Sequence, residues 1–225
     1  MNILLTGGTR GIGAAIATRL ADHHVFATGS ADGDLADPAT PARLWATALE
    51  RFAGRVDVLI NNAGIFEATP IDASDADWLA GWNRTMAVNL TASAQLCRFA
   101  VRHFLELGGG RIVNVASRAA YRGDSPAHWH YAASKAGMVA MTKTIARSYA
   151  AQAVYAFAIC PGFTMTGMAE DYLNSRDGDK LLADIPLGKV ADPEEVAEIA
   201  AFCVLNAPPS MTGAVLDVNG ASYVR

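Results

Sequence analysis

The chain has 225 residues, of which 52% are hydrophobic and 18% are charged. This length and composition predict one compact domain over residues 1–225 and exclude a disordered chain, which combines low hydrophobicity with high charge. The formal net charge is −4 at pH 7. Nucleic acid and anionic membranes are therefore not expected as partners, since both attract basic surfaces.

The first residues do not form a basic segment followed by an apolar run, and no run of 18 apolar residues occurs. We therefore expect a cytoplasmic protein without a membrane span. The three cysteines, Cys97, Cys160 and Cys203, lie in apolar surroundings without Cys-x-x-Cys spacing. They are typical of buried hydrophobic residues, so neither a disulfide nor a metal site is expected.

Short apolar runs alternate with longer segments compatible with helices. This alternation predicts a doubly wound, three-layer Rossmann fold of the α/β class, with a parallel sheet covered by helices on both faces. The predicted strands are 3–5, 25–27, 56–60, 112–115, 154–159 and 214–218. The predicted helices are 11–21, 41–52, 75–105, 129–150 and 193–205, the last starting at the capping pair Asp192-Pro193.

One connection is too short for this alternation. Only five residues separate Thr28, at the end of the second predicted strand, from Asp34. A parallel strand needs a crossover of roughly a dozen residues, so no helix and further strand fit here. The sheet is therefore predicted to have six strands, with one crossover unit lost.

A glycine-rich turn follows the first predicted strand and precedes a helical segment. Glycines in this context let a pyrophosphate approach the free amides of the helix N-terminus. A turn that only connects two elements is the alternative, and the strand-turn-helix order favours the dinucleotide site. The candidate phosphate-binding residues are Gly7, Thr9, Arg10, Gly11, Ile12 and Gly13.

A tyrosine and a lysine, Tyr131 and Lys135, are four residues apart on a predicted helix, which places them on one face. A nearby ammonium lowers the pKa of a phenol by stabilising the phenolate. Ser117 follows the predicted strand 112–115, at the sheet edge where parallel α/β folds bind ligands. These three residues predict acid-base chemistry on an oxygen atom.

The turn Thr-Gly-x-x-x-Gly-x-Gly, the segment Asn-Asn-Ala-Gly at 61–64 and the order Ser117, Tyr131, Lys135 resemble the short-chain dehydrogenase/reductase family, classical type, and most closely its 3-oxoacyl-carrier-protein reductases. The resemblance implies that Ser117 orients a carbonyl, Tyr131 gives the proton, and Lys135 binds the nicotinamide ribose and tunes Tyr131. It also implies that Asn89 holds a water in the proton relay. Further cofactor contacts are implied at Asn62, Ala63, Gly64, Asp34, Leu35, Pro161, Gly162, Thr164 and Thr166.

For the choice of cofactor, the end of the second strand carries Gly29 and Ser30 instead of a carboxylate that would bind the ribose hydroxyls of NAD. Arg10 could pair with a 2′-phosphate, although Asp32 and Asp34 lie close. We therefore expect NADP, with NAD as the alternative.

Three functions fit the sequence. The first is an NADP-dependent reductase of ketones, with 3-oxoacyl thioesters among its candidate substrates. The second is an NAD-dependent dehydrogenase of secondary alcohols or sugars, and the third is a nucleotide-binding sensor without catalysis. Residues 118–130 and a lid over 163–187 are expected to surround a small-molecule substrate, with His128 or His130 as less favoured contacts. The family resemblance implies a homotetramer or homodimer.

Overall fold

A six-stranded parallel sheet forms the centre of the computed structural model, which describes residues 1–165 and 182–225. The strand order is β2-β1-β3-β4-β5-β6, and every neighbouring pair is parallel. The six predicted strands are thus confirmed. Their bounds are β1 Asn2–Thr6, β2 His24–Thr28, β3 Val58–Asn61, β4 Gly110–Val115, β5 Val154–Pro161 and β6 Val215–Val218.

Helices cover both faces of the sheet. The helices are α1 Gly11–Arg19, α2 Thr40–Arg51, α3 Asp75–Met86, α4 Ala92–Leu107, α5 Ala119–Arg122, α6 Trp129–Tyr149 and α7 Pro193–Leu205. On one face α1 and α7 pack on apolar side chains of the central strands, and on the other face α2, α4 and α6 do so. This arrangement explains the continuously apolar strands, because each strand buries both of its faces.

The short connection after β2 contains a single 3-10 turn, Ser30–Asp32, and leads to α2 without a further strand. β2 is therefore an edge strand. The turn is closed by the carboxylate of Asp32, which accepts a hydrogen bond from the Gly29 amide at 2.8 Å. The predicted loss of one crossover unit is confirmed.

The predicted helix 75–105 is interrupted, which corrects the expectation of one regular element. A wide π-turn, Ala87–Thr91, joins α3 to α4 without a break in helical direction. Periodicity of apolar residues does not reveal one extra residue in a turn. Such π-turns occur often at functional sites, and this one contains Asn89.

Within residues 1–165 and 182–225, no helix combines the length and the apolar character needed to cross a membrane.

Candidate active site

The glycine turn after β1 is shaped to receive a phosphate group. Gly7 has a positive φ of 64°, which a side chain disfavours. A Cβ atom at Gly13 would overlap the carbonyl oxygen of Gly7, so only glycine fits at the start of α1. The side-chain amide of Asn62 donates to the same Gly7 carbonyl at 2.9 Å. The turn therefore presents backbone without side chains, and Asn62, directly after β3, holds it in place. We call this turn the cradle, and its shape fits a dinucleotide pyrophosphate.

The end of β2 lies against this turn. A Cβ atom at Gly29 would lie 2.7 Å from the Thr9 hydroxyl oxygen, so Gly29 and Thr9 are in close contact. Arg10 is exposed and forms no ion pair with the residues that the structure describes. Asp34 is 3.2 Å from the Arg84 guanidinium, and the Ala36 amide and Arg84 lower the pKa of its carboxyl. The structure thus brings Thr9 against Gly29, and Arg10 and Ser30 are their exposed neighbours in sequence.

Ser117 and Tyr131 meet at the carboxyl edge of the sheet. The two side chains are close enough for Ser117 to lower the pKa of the Tyr131 phenol, although Ser117 follows β4 and Tyr131 lies in the first turn of α6. Desolvation raises the pKa of the Tyr131 phenol to about 12, while the nearby Ser117 opposes the rise. Burial therefore dominates the pKa of Tyr131 in this structure, and the lowering of that pKa by Lys135 stays a prediction.

Lys135 is buried on the same face of α6. Its ammonium donates to the Val115 carbonyl at 2.9 Å and lies 5.8 Å from the centroid of the Tyr131 ring. Burial lowers the pKa of Lys135 to about 8. The ammonium is thus held beside the phenol by the last residue of β4, without a direct bond to the phenol.

Asn89 is fully buried and connects three segments. Its carbonyl oxygen accepts from the Ile65 amide at 2.8 Å, and its amide group donates to the Ile65 carbonyl at 3.0 Å and to the Ser134 hydroxyl at 3.3 Å. Ser134 in turn donates to the Tyr131 carbonyl at 2.7 Å. The π-turn therefore places Asn89 where it fixes the segment after β3 against the start of α6.

Gly64 links the cradle to these side chains. A Cβ atom at Gly64 would lie 3.4 Å from both the Asn89 carbonyl oxygen and the Lys135 ammonium. A side chain here would fill the space beside Lys135. The path from the glycine turn along Asn62, Ala63 and Gly64 thus ends at the predicted catalytic residues.

The segment after β5 borders the site on the other side. Pro161 ends β5, Gly162 is packed against the Asn219 backbone, and Thr164 bonds back to the Gly162 carbonyl at 3.3 Å. Thr166 and most of the predicted lid 163–187 lie outside the described residues.

Comparison with known proteins identifies the family. A family model described as enoyl-(acyl carrier protein) reductase matches residues 16–221. The chain belongs to the short-chain dehydrogenase/reductase family. It is an oxidoreductase with a Rossmann fold, as the sequence predicted.

Relatives of this short-chain dehydrogenase/reductase carry several names. A 3-oxoacyl-[acyl-carrier-protein] reductase from Vibrio cholerae is 31% identical, and the alignment covers 98% of this chain and 96% of the relative. A D-threitol dehydrogenase from Mycolicibacterium smegmatis is also 31% identical, over 99% and 92% of the two chains. A crystal structure of a putative NAD(P)-dependent gluconate 5-dehydrogenase from Beutenbergia cavernae, with NADP bound at low occupancy, has a TM-score of 0.87 and 32% identity, with 98% and 95% coverage.

Several residues at the site of this family member escaped sequence reasoning. Ser134 and the Val115 carbonyl hold Asn89 and Lys135 in place, and Phe66 lies edge-on to the Tyr131 ring with centroids 4.8 Å apart. The Ser134 position within Tyr-x-x-Ser-Lys could have been noticed. Nothing in the local sequence predicts the Phe66 contact, which joins residues 65 positions apart.

The two histidines before Tyr131 have different surroundings. His130 is buried, accepts from the Tyr131 amide at 2.8 Å and bonds the Thr69 hydroxyl at 2.9 Å. It therefore fixes the start of α6. His128 is half-buried, and its ring stacks on Phe66. Of the two, only His128 belongs to a surface that a substrate could contact.

Proposed function

We propose that this protein is an NADP-dependent oxidoreductase that transfers a hydride between nicotinamide and a ketone or secondary alcohol. The observation that carries the proposal is that Ser117 lies beside the Tyr131 phenol, with the Lys135 ammonium buried next to the phenol ring. These groups stand at the end of a path that begins in the phosphate cradle. A proton donor and a dinucleotide site therefore share one sheet edge.

The chain supplies orientation and the proton. When bound, the dinucleotide supplies or accepts the hydride. Ser117 and Tyr131 hydrogen-bond the substrate oxygen, and Tyr131 donates its proton to that oxygen during reduction. With a pKa of about 8, Lys135 is mostly cationic at pH 7, so its charge offsets the cost of forming a buried phenolate. Asn89 keeps the segment beside Lys135 in place and, by family resemblance, holds the relay water.

The region around the cradle supports NADP. Arg10 and Ser30 are exposed and follow directly on Thr9 and Gly29, which are in contact, and a cation and a hydroxyl suit a 2′-phosphate. The two carboxylates that could bind ribose hydroxyls are both engaged, Asp32 with the Gly29 amide and Asp34 with Arg84. The NADP in the Beutenbergia cavernae structure supports the same choice. Further contacts to the dinucleotide are proposed for Leu35, Pro161, Gly162, Thr164 and Thr166.

Fluorescence titration with NADPH and with NADH tests the cofactor. We expect tighter NADPH binding, and Arg10→Ala should weaken NADPH at least about tenfold while leaving NADH nearly unchanged, because only NADPH carries the extra phosphate. Arg19→Ala, a cation on the far end of α1, is the control. Equal or tighter NADH binding by the unmodified protein would contradict the NADP assignment.

Turnover with Tyr131→Phe tests the chemistry. The variant should lose at least about a hundredfold in kcat, because general acid catalysis contributes on the order of 10² to 10⁴, and should still bind NADPH. Unchanged turnover would exclude Tyr131 as the proton donor. If no carbonyl compound were reduced by the NADPH-bound protein, a sensor role would be favoured.

We also propose that residues 1–225 form one cytoplasmic domain, that 163–187 cover the substrate, and that the protein assembles as a homotetramer or homodimer. The exposed Leu105 on α4 supports an interface on the long helices. Light scattering coupled to size exclusion measures the assembly, and a monomer at micromolar concentration would contradict it.

A further inference from the structure

An aromatic wall stands beside the proposed proton donor. The ring of Phe66 stacks on the His128 imidazole with centroids 3.8 Å apart and 4° between planes, and its edge meets Tyr131 at 4.8 Å. The Thr69 amide donates to the Ala127 carbonyl at 2.9 Å, which ties the loop after β3 to the loop before α6. These contacts therefore hold the loop after β3 against the loop before α6 at the site. Phe66 is 38% exposed, so its surface is available to a ligand.

The wall has one polar edge and no charge at neutral pH. The Nδ1 atom of His128 lies 2.6 Å from the Ser125 hydroxyl, and its Nε2 atom has no hydrogen bond to any residue that the structure describes. Desolvation lowers the pKa of His128, which keeps the imidazole neutral at pH 7. A neutral imidazole nitrogen can accept a hydrogen bond from a hydroxyl group or donate one to a carbonyl group, depending on its tautomer. The face of the Phe66 ring can pack against the C–H groups of a substrate.

The loops that carry this wall are acidic. Residues 65–78, which include the first turn of α3, and residues 122–130, which run from the end of α5 to the start of α6, contain Glu67, Asp72, Asp75, Asp77 and Asp124, against the single cation Arg122. The charge of Asp124 raises the pKa of Tyr131, and the charge of Glu67 acts on His130 in the same direction, so both carboxylates influence the site.

The arginines near these loops are already paired. Arg122 and Arg118 both contact the Asp184 carboxylate, at 2.6 Å and 3.3 Å, and Arg84 contacts Asp34 at 3.2 Å and Glu67 at 3.9 Å. An anionic group on a substrate would thus meet net negative charge.

We propose that Phe66 and His128 determine the substrate, and that the site takes a compact, uncharged hydroxyketone or the corresponding polyol. This inference rests on the function proposed above and narrows its substrate class. Thioesters of coenzyme A or of a carrier protein bring phosphate groups on their pantetheine arm. The acidic loops repel those phosphates, whereas an uncharged polyol places its carbon chain on Phe66 and a hydroxyl group at His128 Nε2.

The first experiment compares kcat/KM for erythrulose and 2-hydroxycyclohexanone with that for acetoacetyl-CoA, using NADPH at low ionic strength. We expect the better neutral substrate to exceed acetoacetyl-CoA by at least about a hundredfold, within the range that electrostatic steering reaches. Removing two charges, in E67Q/D124N, should raise the ratio of acetoacetyl-CoA to neutral substrate about tenfold. Asp22→Asn, at the opposite edge of the sheet, is the matched control and should leave the ratio unchanged.

The second experiment tests the wall itself. Phe66→Ala should lower kcat/KM for the neutral substrate about tenfold with the NADPH Kd unchanged, because Phe66 contacts His128 and Tyr131 and not the glycine turn. Phe202→Ala, at an exposed position on α7, is the control for losing an aromatic ring. An unchanged kcat/KM in Phe66→Ala would overturn the assignment of the wall.

The outcomes separate this inference from the function on which it rests. If the protein binds NADPH and prefers acetoacetyl-CoA, the substrate class is wrong and the proposed function stands. If the protein binds neither dinucleotide, the proposed function is wrong and this inference falls with it.

Discussion

Replacing Thr142 by valine removes one hydroxyl from a buried polar chain that crosses three elements. The Asn61 side-chain amide in β3 donates to the Asn114 carbonyl oxygen at 2.9 Å, and the Asn114 amide in β4 donates to the Thr142 hydroxyl in α6 at 2.8 Å. All three residues are at most 1% exposed. The chain therefore pins α6, which carries Tyr131 and Lys135, onto the strand that precedes Ser117.

Valine keeps the shape of threonine but cannot accept the hydrogen bond. The Asn114 amide then stays buried without this partner, which costs about 1–3 kcal/mol of the free energy of unfolding. The Met138 carbonyl, which also accepts from the Thr142 hydroxyl at 2.8 Å, keeps its helical bond. For a chain of this size, 1 kcal/mol corresponds to about 2–4 °C in Tm, so the expected fall is roughly 2–12 °C.

Urea unfolding at fixed protein concentration measures this cost, and Thr144→Val is the matched control. Thr144 lies on the same helix and bonds the Ala140 carbonyl at 3.1 Å, but it is exposed, so its substitution should change stability by less than about 0.5 kcal/mol. In an Asn114→Ala background, Thr142→Val should cost less by at least about 0.5 kcal/mol, because the partner is already absent. Equal effects of Thr142→Val and Thr144→Val would refute the reasoning.

Three further predictions concern the glycine turn, the buried Lys135 and the half-buried His103. Gly13→Ala should abolish NADPH binding in a fluorescence titration, because the new Cβ overlaps the Gly7 carbonyl; retained affinity would contradict the cradle. Burial lowers the pKa of Lys135 from 10.5 to about 8, so the unfolded chain holds more protons between these values and stability rises with pH there. The Tm of Lys135→Met should not show this rise with pH. An equal pH dependence of Tm in the variant and the unmodified protein would contradict the prediction. Burial also lowers the pKa of His103, whose Nε2 accepts from the Val56 amide at 3.1 Å. Stability should fall as the pH drops below about 6.5, and less so in His103→Gln, as urea midpoints would measure.

The layers of the fold could be predicted from local patterns. Apolar runs such as 112–115 mark strands buried on both faces, and helix signals such as Asp192-Pro193 give the start of α7 to the residue. The short stretch between Thr28 and Asp34 excluded a further strand, because chain length alone limits a crossover. These features depend on neighbours within one element, which the sequence displays directly.

The sequence also predicted that Ser117, Tyr131 and Lys135 lie close together. Tyr131 and Lys135 are one helical turn apart, and Ser117 follows a strand at the carboxyl edge of the parallel sheet, where ligands bind. The extra turn residue around Asn89 could not be predicted, because a π-turn leaves the apolar pattern almost unchanged.

The sequence by itself determined the strand count, the glycine turn and the residue types at the sheet edge, because each follows from spacing along the chain. Only the tertiary structure decided that burial raises the pKa of Tyr131, that Thr142 holds Asn114, and that Phe66 stacks on His128. Desolvation and contact depend on which distant segments pack together. Those segments come into contact only in the folded protein, where the loop after β3, the loop before α6 and α6 itself pack at the same edge of the sheet.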